Sequence, residues 1–321
     1  MDGDQIAKRA TRAAGLPVAD LVPLPGGLSS ITLVGRMGSD RASPIVVKVA
    51  PPGLDPVRNR DVLRQARVLS ALADVDGVAV PAVLFTDAEP PPLFGMAFVE
   101  GESVEPVTST GPLHEPGVVE ARAVGAARML ARLHAVDVES VGLGHEPAGG
   151  LVEEVDRWER ALDTVDEDLR PGHHACAAAL RSAVPEPVTP AILHGDWRLG
   201  NMLCQQGRVA AVIDWEIWSV GDPRIDLAWF LANTEFAGNP FALRPVPGMP
   251  DRSRLLAAYE DEHGASIGDL GWFEALTAFK ETATMGLILK RNRRRPEPDA
   301  ALESQAPLLP RLLDLVAAHA G

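Results

Sequence analysis

Two short apolar runs, Ala191–Leu193 and Val209–Ile213, bracket the polar stretch His194-Gly-Asp-Trp-Arg-Leu-Gly-Asn201. Runs this short, bounded by turn residues, read as buried strands. The pattern predicts two adjacent strands whose ends hold three oxygen-bearing side chains. Asp196 and Asn201 lie in the loop, and Asp214 sits on the turn after the second run. An Asp in a turn is usually a turn or capping residue. An Asp-x-x-x-x-Asn loop followed by a strand and Ile213-Asp-Trp-Glu216 is a compound signal, and much more restrictive than any one of its parts. Chemically, the set offers one carboxylate able to take a proton from a hydroxyl. It also offers a carboxylate and a carboxamide suited to a hard divalent cation.

The Asp196/Asn201 spacing, with Asp214 beyond the next strand, matches the loop and metal ligand of protein kinases. His194 to Asn201, Ile213 to Glu216 and Gly221-Asp-Pro-Arg-Ile-Asp-Leu-Ala228 together resemble the aminoglycoside phosphotransferase and choline kinase family. The wording is most similar to the branch whose relatives occur beside, or fused to, acyl-CoA dehydrogenases. The resemblance runs from about Leu24 to the last helices. It implies an α+β, protein-kinase-like, two-lobed fold, with a small antiparallel-sheet lobe over residues 1–100 and a larger, mostly helical lobe over 101–321. It also implies transfer of the γ-phosphate of ATP or GTP to a hydroxyl of a small-molecule acceptor. Asp196 would be the base, and Asn201 and Asp214 would hold Mg²⁺.

The N-terminal third supplies the matching nucleotide parts. Leu21 to Gly35 reads as strand, tight turn, strand. Gly26, Gly27, Ser29 and Ser30 would bring backbone N–H groups near phosphate, as the covering hairpin does in the family resembled. Ile45-Val-Val-Lys-Val-Ala50 reads as a strand whose alternation puts Lys48 with Val46, opposite Val47 and Val49. Its place after the hairpin matches the kinase strand lysine that contacts phosphates. A helix is expected from Asp55-Pro56, as cap and first residue, to about Ala73. Gln65 falls on its apolar stripe, where the family carries a Glu that pairs the lysine; Asp61 is a substitute one turn earlier. The connector around Phe98, Val99 and Glu100 would meet the nucleotide base.

Composition narrows the classes. A chain of 321 residues exceeds what one core usually fills. The formal net charge of −14 argues against nucleic acid as the main partner. No apolar run reaches membrane-spanning length, and the first residues lack signal-peptide character. Two cysteines far apart, Cys176 and Cys204, fit a reducing cytoplasm. His173-His174 after Pro-Gly reads as a solvated turn, and His134 as a core or capping histidine. Asp222 and Asp226 read as architectural, and Phe236 and Phe241 lie in a Gly/Pro-rich stretch that would rim the acceptor site.

Three readings of function stay open. The acidic region from Glu153 to Asp168 suits a cationic acceptor. The basic run Arg291 to Arg295 suits an anionic one, such as a hydroxyacyl thioester. Gln65 leaves a catalytically weak or inactive nucleotide-binding protein as the alternative to an enzyme.

Overall fold

A computed structural model describes residues 3–24, 30–39, 42–55 and 57–319. Its N-terminal part is a helix, α1 (Gly3–Ala14), and five strands: β1 (Val18–Pro23), β2 (Ile31–Met37), β3 (Ser43–Val49), β4 (Val83–Asp87) and β5 (Leu93–Ala97). Helix α2 (Val62–Leu72) is inserted between β3 and β4. The strands form one antiparallel sheet in the order β1-β2-β3-β5-β4. Period-two alternation decides which side of β3 does what. Ile45, Val47 and Val49 are buried and pack with Ile6 and Ala10 of α1. Val46 and Lys48 face the other way, into a cleft.

The larger part is mostly helical: α3 (Pro116–His134), α4 (Leu151–Leu162), α5 (His173–Ser182), α6 (Arg224–Thr234), α7 (Arg252–His263), α8 (Gly271–Arg293), α9 (Ala300–Glu303) and α10 (Leu308–His319). Its four short strands are β6 (Ala191–Leu193), β7 (Met202–Gln205), β8 (Arg208–Val212) and β9 (Ser219–Gly221). One core joins both parts, because buried residues of α2 (Val62, Ala66, Leu69, Leu72) share a cluster with α3, Ile192, Trp197 and Trp218. A second core holds α4, α5, α8 and α10 around Trp158, Phe279 and Leu313.

Several expectations are corrected. The two apolar runs that bracket the polar loop do not pair with each other. β6 pairs with β9, Ala191 opposite Gly221, while β8 folds back on β7, Met202 opposite Val212. The reason is local: Gln206-Gly207 makes a two-residue connection with Gln206 at φ 54°, so the nearer partner wins. Helix α2 starts at Val62, not Asp55. Residues 58–60 form a 3₁₀ turn, and the Asp61 side chain accepts Arg64 N–H at 3.0 Å as the N-cap. Asp61 is therefore committed to the helix end and is not a substitute partner for Lys48. β5 ends at Ala97, where the connector at Phe98 begins, and the last helix, expected from about Ser304, starts at Leu308 after the short α9. His173 is buried and opens α5, so the His173-His174 pair is not a solvated turn. No helix among the described residues is long and apolar enough to cross a membrane.

Candidate active site

A cleft of about 690 Å³ lies between the sheet and the loops around β7 and β8. Its walls include Ser30, Lys48, Phe98, Val99, Arg198, Asn201, Asp214 and Glu216. Pockets of this size suit a nucleotide-sized ligand. Gly26, Gly27 and Ser29 lie outside the described residues. Glu100 is not on the wall; its carbonyl accepts Gln205 Nε2 at 2.9 Å, and Val99 and Gly101 on either side of it face the cleft.

Lys48 enters this cleft from the sheet. It is buried, and its Nζ donates to Gln65 Oε1 at 3.0 Å and to Asp214 Oδ1 at 3.3 Å. Gln65 thus fills the role expected of the family's Glu by geometry, with a neutral oxygen. Its other end donates to the Asn59 carbonyl at 3.4 Å. The helix that carries it is fixed to the larger lobe. Arg64 stacks over Trp218 at 4.0 Å, bonds the Trp218 carbonyl at 2.7 Å, and pairs with Glu146 at 3.0 Å. Because Asp214 supplies the negative charge that Gln65 lacks, we expect Gln65→Glu to leave phosphoryl transfer unchanged or raise it. A large loss of turnover in steady-state assays would show that the neutral amide itself is required.

Asp214 stands at φ 68°, in the left-handed region, just before a 3₁₀ turn over Trp215–Ile217. A non-glycine residue in that region is strained, and such strain clusters at functional sites. The loop that carries Asp196 and Asn201 is fastened to the same place. Asn201 carbonyl accepts Ile213 N–H at 2.9 Å. His194, fully buried, donates from Nε2 to the Ile213 carbonyl at 2.9 Å and accepts Asp196 N–H on Nδ1 at 3.2 Å. Asp226, at the start of α6, accepts the N–H groups of His194 and Gly195 at 2.6 and 2.9 Å. It is the buried architectural carboxylate expected. Burial works to raise its carboxyl, but His134, then His194 and Lys280, outweigh that and hold it below the ordinary range. Gly195 has φ +85°, and a Cβ there would meet the Ile217 carbonyl at 2.8 Å, so only glycine fits the bend.

Asp196 is held by more donors than the sequence suggested. Trp229 Nε1 reaches Oδ1 at 2.9 Å, and Arg198 Nε lies 3.1–3.2 Å from both oxygens. Asn201 Nδ2 donates to Oδ2 at 2.7 Å and to the backbone carbonyl at 2.9 Å. Below the loop, Lys280 of α8 is buried. Its Nζ bonds the Gly195 carbonyl and lies 4.0 Å from the centre of the Trp229 ring. Burial pushes the Asp196 carboxyl up; Arg198, Lys280 and His194 pull it down further, so it titrates below the usual carboxylate range. Glu105 is the counterweight. It accepts Gly200 N–H at 2.9 Å, and burial pushes its carboxyl up to about 7.

Sequence reasoning missed Trp229, Arg198, Glu105 and Lys280. Lys280 left one trace, a lone cation in the apolar run Ala275-Leu-Thr-Ala-Phe-Lys of a helix that is otherwise buried. Part of each charged region considered for acceptor choice is engaged in internal pairs. Asp156 and Glu159 pair with Arg181, Asp163 with His173, and Asp166 and Asp168 with Arg293 from the basic run. Glu154 accepts Trp158 Nε1 at 2.6 Å. Of the two expected rim aromatics, Phe236 is exposed, whereas Phe241 packs against the helical cores.

The set fits a hard divalent cation on its donor chemistry. Both N–H bonds of Asn201 are turned to Asp196, which leaves the carboxamide oxygen as the atom offered to a cation. Asp214 adds a half-exposed carboxylate on the same cleft.

Comparison with known proteins agrees with this geometry. The profile of the phosphotransferase enzyme family matches residues 20–264. The chicken protein "Acyl-CoA dehydrogenase family member 11" is 31% identical over 185 residues, which cover 52% of this chain and 24% of that protein. This chain therefore spans about a quarter of that curated relative's length. The human protein of the same name is 26% identical over 254 residues, covering 73% of this chain and 32% of its own length. Among solved structures, a Ralstonia eutropha protein assigned to the aminoglycoside phosphotransferases superposes with a TM-score of 0.79 at 21% identity, covering 99% of this chain and 98% of that one. The GDP and kanamycin complex of APH(2")-IIIa superposes with a TM-score of 0.66 at 16% identity over 98% of both chains. These likenesses establish the protein-kinase-like two-lobed fold.

Proposed function

The chain belongs to the phosphotransferase enzyme family, kinase-like enzymes that act on small molecules, and from that premise we propose that it moves the γ-phosphate of ATP or GTP to a hydroxyl of a small molecule. The observation that carries this reading is the convergence on one cleft of Lys48, tied to Asp214, with the Asp196–Asn201 loop fastened beside it.

In this reading Asp196 takes the proton of the acceptor hydroxyl as the oxygen attacks phosphorus. Its depressed pKa keeps it ionised at neutral pH, and Trp229 and Arg198 fix its direction. Lys48 binds phosphate oxygens and is itself aimed by Gln65 and Asp214. Asn201 and Asp214 would hold Mg²⁺, which supplies neutralisation of phosphate charge when bound. The connector at Phe98 and Val99 would receive the base, with Ser30 near the phosphates. Most of the acceleration in such a site comes from positioning and charge stabilisation. The lobes would divide near residue 100, and a cytoplasmic location suits both the nucleotide supply and the two unpaired thiols.

The test is incubation of purified protein with ATP or GTP, Mg²⁺ and a broad panel of small hydroxyl compounds, with mass detection of a gain of one phosphoryl group. At least one acceptor should be phosphorylated with a matching loss of the nucleotide γ-phosphate. Nucleotide binding without turnover on any acceptor would favour the weak or inactive alternative that Gln65 raises. Because each charged region is partly engaged in internal pairs, with Arg293 held by Asp166 and Asp168, the panel must include cationic, anionic and neutral acceptors.

A further inference from the structure

Away from the cleft, the turn from α4 to α5 brings together Asp163, His173 and His174, whose ligand atoms lie within 4.8 Å of one another. We propose that these three residues form a second cation site, specific for a zinc-class divalent metal, that staples the end of α4 to the start of α5.

The argument rests on where the imidazole protons go. His173 Nδ1 lies 3.0 Å from the Arg170 carbonyl, which can only accept, so Nδ1 carries the hydrogen. His174 Nδ1 lies 2.8 Å from Glu159 Oε1, a carboxylate oxygen, so it too carries the hydrogen. In a neutral imidazole this leaves the lone pair on Nε2 of each ring. Both Nε2 atoms point at one oxygen, Asp163 Oδ1, at 2.9 and 3.5 Å. Three acceptors therefore face one another; Arg170 Nη1, 3.3 Å from His173 Nε2, relieves part of that repulsion, and a cation between them would relieve the rest. A metal with bonds near 2.1 Å to nitrogen and oxygen would sit among ligands separated by about such distances. An Nδ1–H held by a carboxylate or backbone carbonyl is the second-shell arrangement of metal-bound histidine. The ring centroids lie 3.9 Å apart at a 36° tilt, and His173 is buried.

The donor set of two imidazoles and one carboxylate, with room for water on the exposed side of His174, suits Zn²⁺ rather than Mg²⁺. Arg170 is the opposing charge: its Nη1 lies 3.3 Å from His173 Nε2. Its Nε is anchored on the Val165 carbonyl at 2.8 Å, and metal binding at His173 Nε2 would have to displace the Nη1 contact. Arg181 is nearby but is neutralised by Asp156 and Glu159.

The other source of a cation is the proton itself, with both rings as imidazolium, and the experiment separates the two. The full chain is titrated with Zn²⁺ by calorimetry at pH 7.5 in excess Mg²⁺, and with Co²⁺ while the visible spectrum is recorded. One equivalent should bind, with the intense absorption of four-coordinate Co²⁺. His173→Ala and His174→Ala should each weaken binding at least tenfold. Glu159→Gln, which touches only the outer shell, should weaken it about 10–100-fold. His174 is largely exposed, so its variant folds even if that of His173 does not. Phosphotransfer should survive the His174 change. Binding that is absent, or equal in wild type and His174→Ala, would mean that protons occupy the cluster, and the proposal would fall.

Discussion

Asp196→Ala is expected to remove phosphoryl transfer, with kcat falling by about 10²–10⁴-fold or more, while nucleotide affinity stays within a few-fold of wild type. The expectation follows from the division of labour in the cleft. Asp196 is not on the wall that surrounds the nucleotide volume; Asn201, Asp214 and Lys48 are. Deleting its carboxylate removes the proton acceptor and also releases Trp229 Nε1, Arg198 and Asn201 Nδ2, which now bond it. Asn201 therefore loses some orientation, and a small loss in Mg²⁺ affinity should accompany the large loss in kcat. Steady-state kinetics on any acceptor found by the mass screen, with nucleotide binding measured by calorimetry, reads both. Wild-type turnover in a folded Asp196→Ala protein would remove this residue from the mechanism and with it the proposed reaction chemistry.

Lys280→Met is expected to lower kcat about 10²-fold and to move the acid limb of the pH profile upward. The first effect is positional. Lys280 is buried, holds the Gly195 carbonyl one residue before the base, and supports the indole that bonds Asp196. Small displacements of a catalytic group cost about this much. The second effect is electrostatic, and its sign is fixed. Lys280 is among the cations that hold the Asp196 carboxyl below its ordinary value. Without it the carboxyl protonates at higher pH, so kcat/KM begins to fall earlier on acidification. Its own amine is pulled down by burial against Asp196, Asp226 and Glu154, which pull it up, and the net direction is downward. A lysine serving only to hold helices together would change thermal stability and leave the pH profile where it was. Measuring kcat/KM against pH beside thermal unfolding separates the two roles.

The same buried cation illustrates how far the chain could be read without coordinates. The Asp196–Asn201 loop and the strand lysine follow local rules. Alternation places Lys48 on the cleft side of β3, and the Asp-x-x-x-x-Asn spacing places Asn201 beside Asp196. Both are observed. Asp226 was legible for the same reason, since it sits at the first turn of a helix with an obvious start. Pairing of the strands was not legible, because two apolar runs do not state which neighbour each will choose. A two-residue turn at Gln206-Gly207 decided it.

Charge was the least legible quantity. The acidic region after Leu151 and the basic run after Lys290 each looked like a recognition surface. Only folding reveals that Arg293 reaches Asp166 and Asp168, more than a hundred residues earlier, so that each cancels part of the other. The His173-His174 pair changed meaning in the same way once Asp163 and Glu159 were brought beside it.

The sequence by itself determined what depends on short spacing and period: the loop that brings Asn201 beside Asp196, the cleft-facing Lys48, and where most of the helices lie. Tertiary structure alone decided what depends on long-range contact. It buried Lys280 under the loop, gave Asp196 its indole partner, and docked α2 on Trp218 so that Gln65 meets Lys48. The physical reason is that spacing places a side chain on a face, whereas burial and neighbouring charge set its pKa and direction, and those neighbours come from distant parts of the chain.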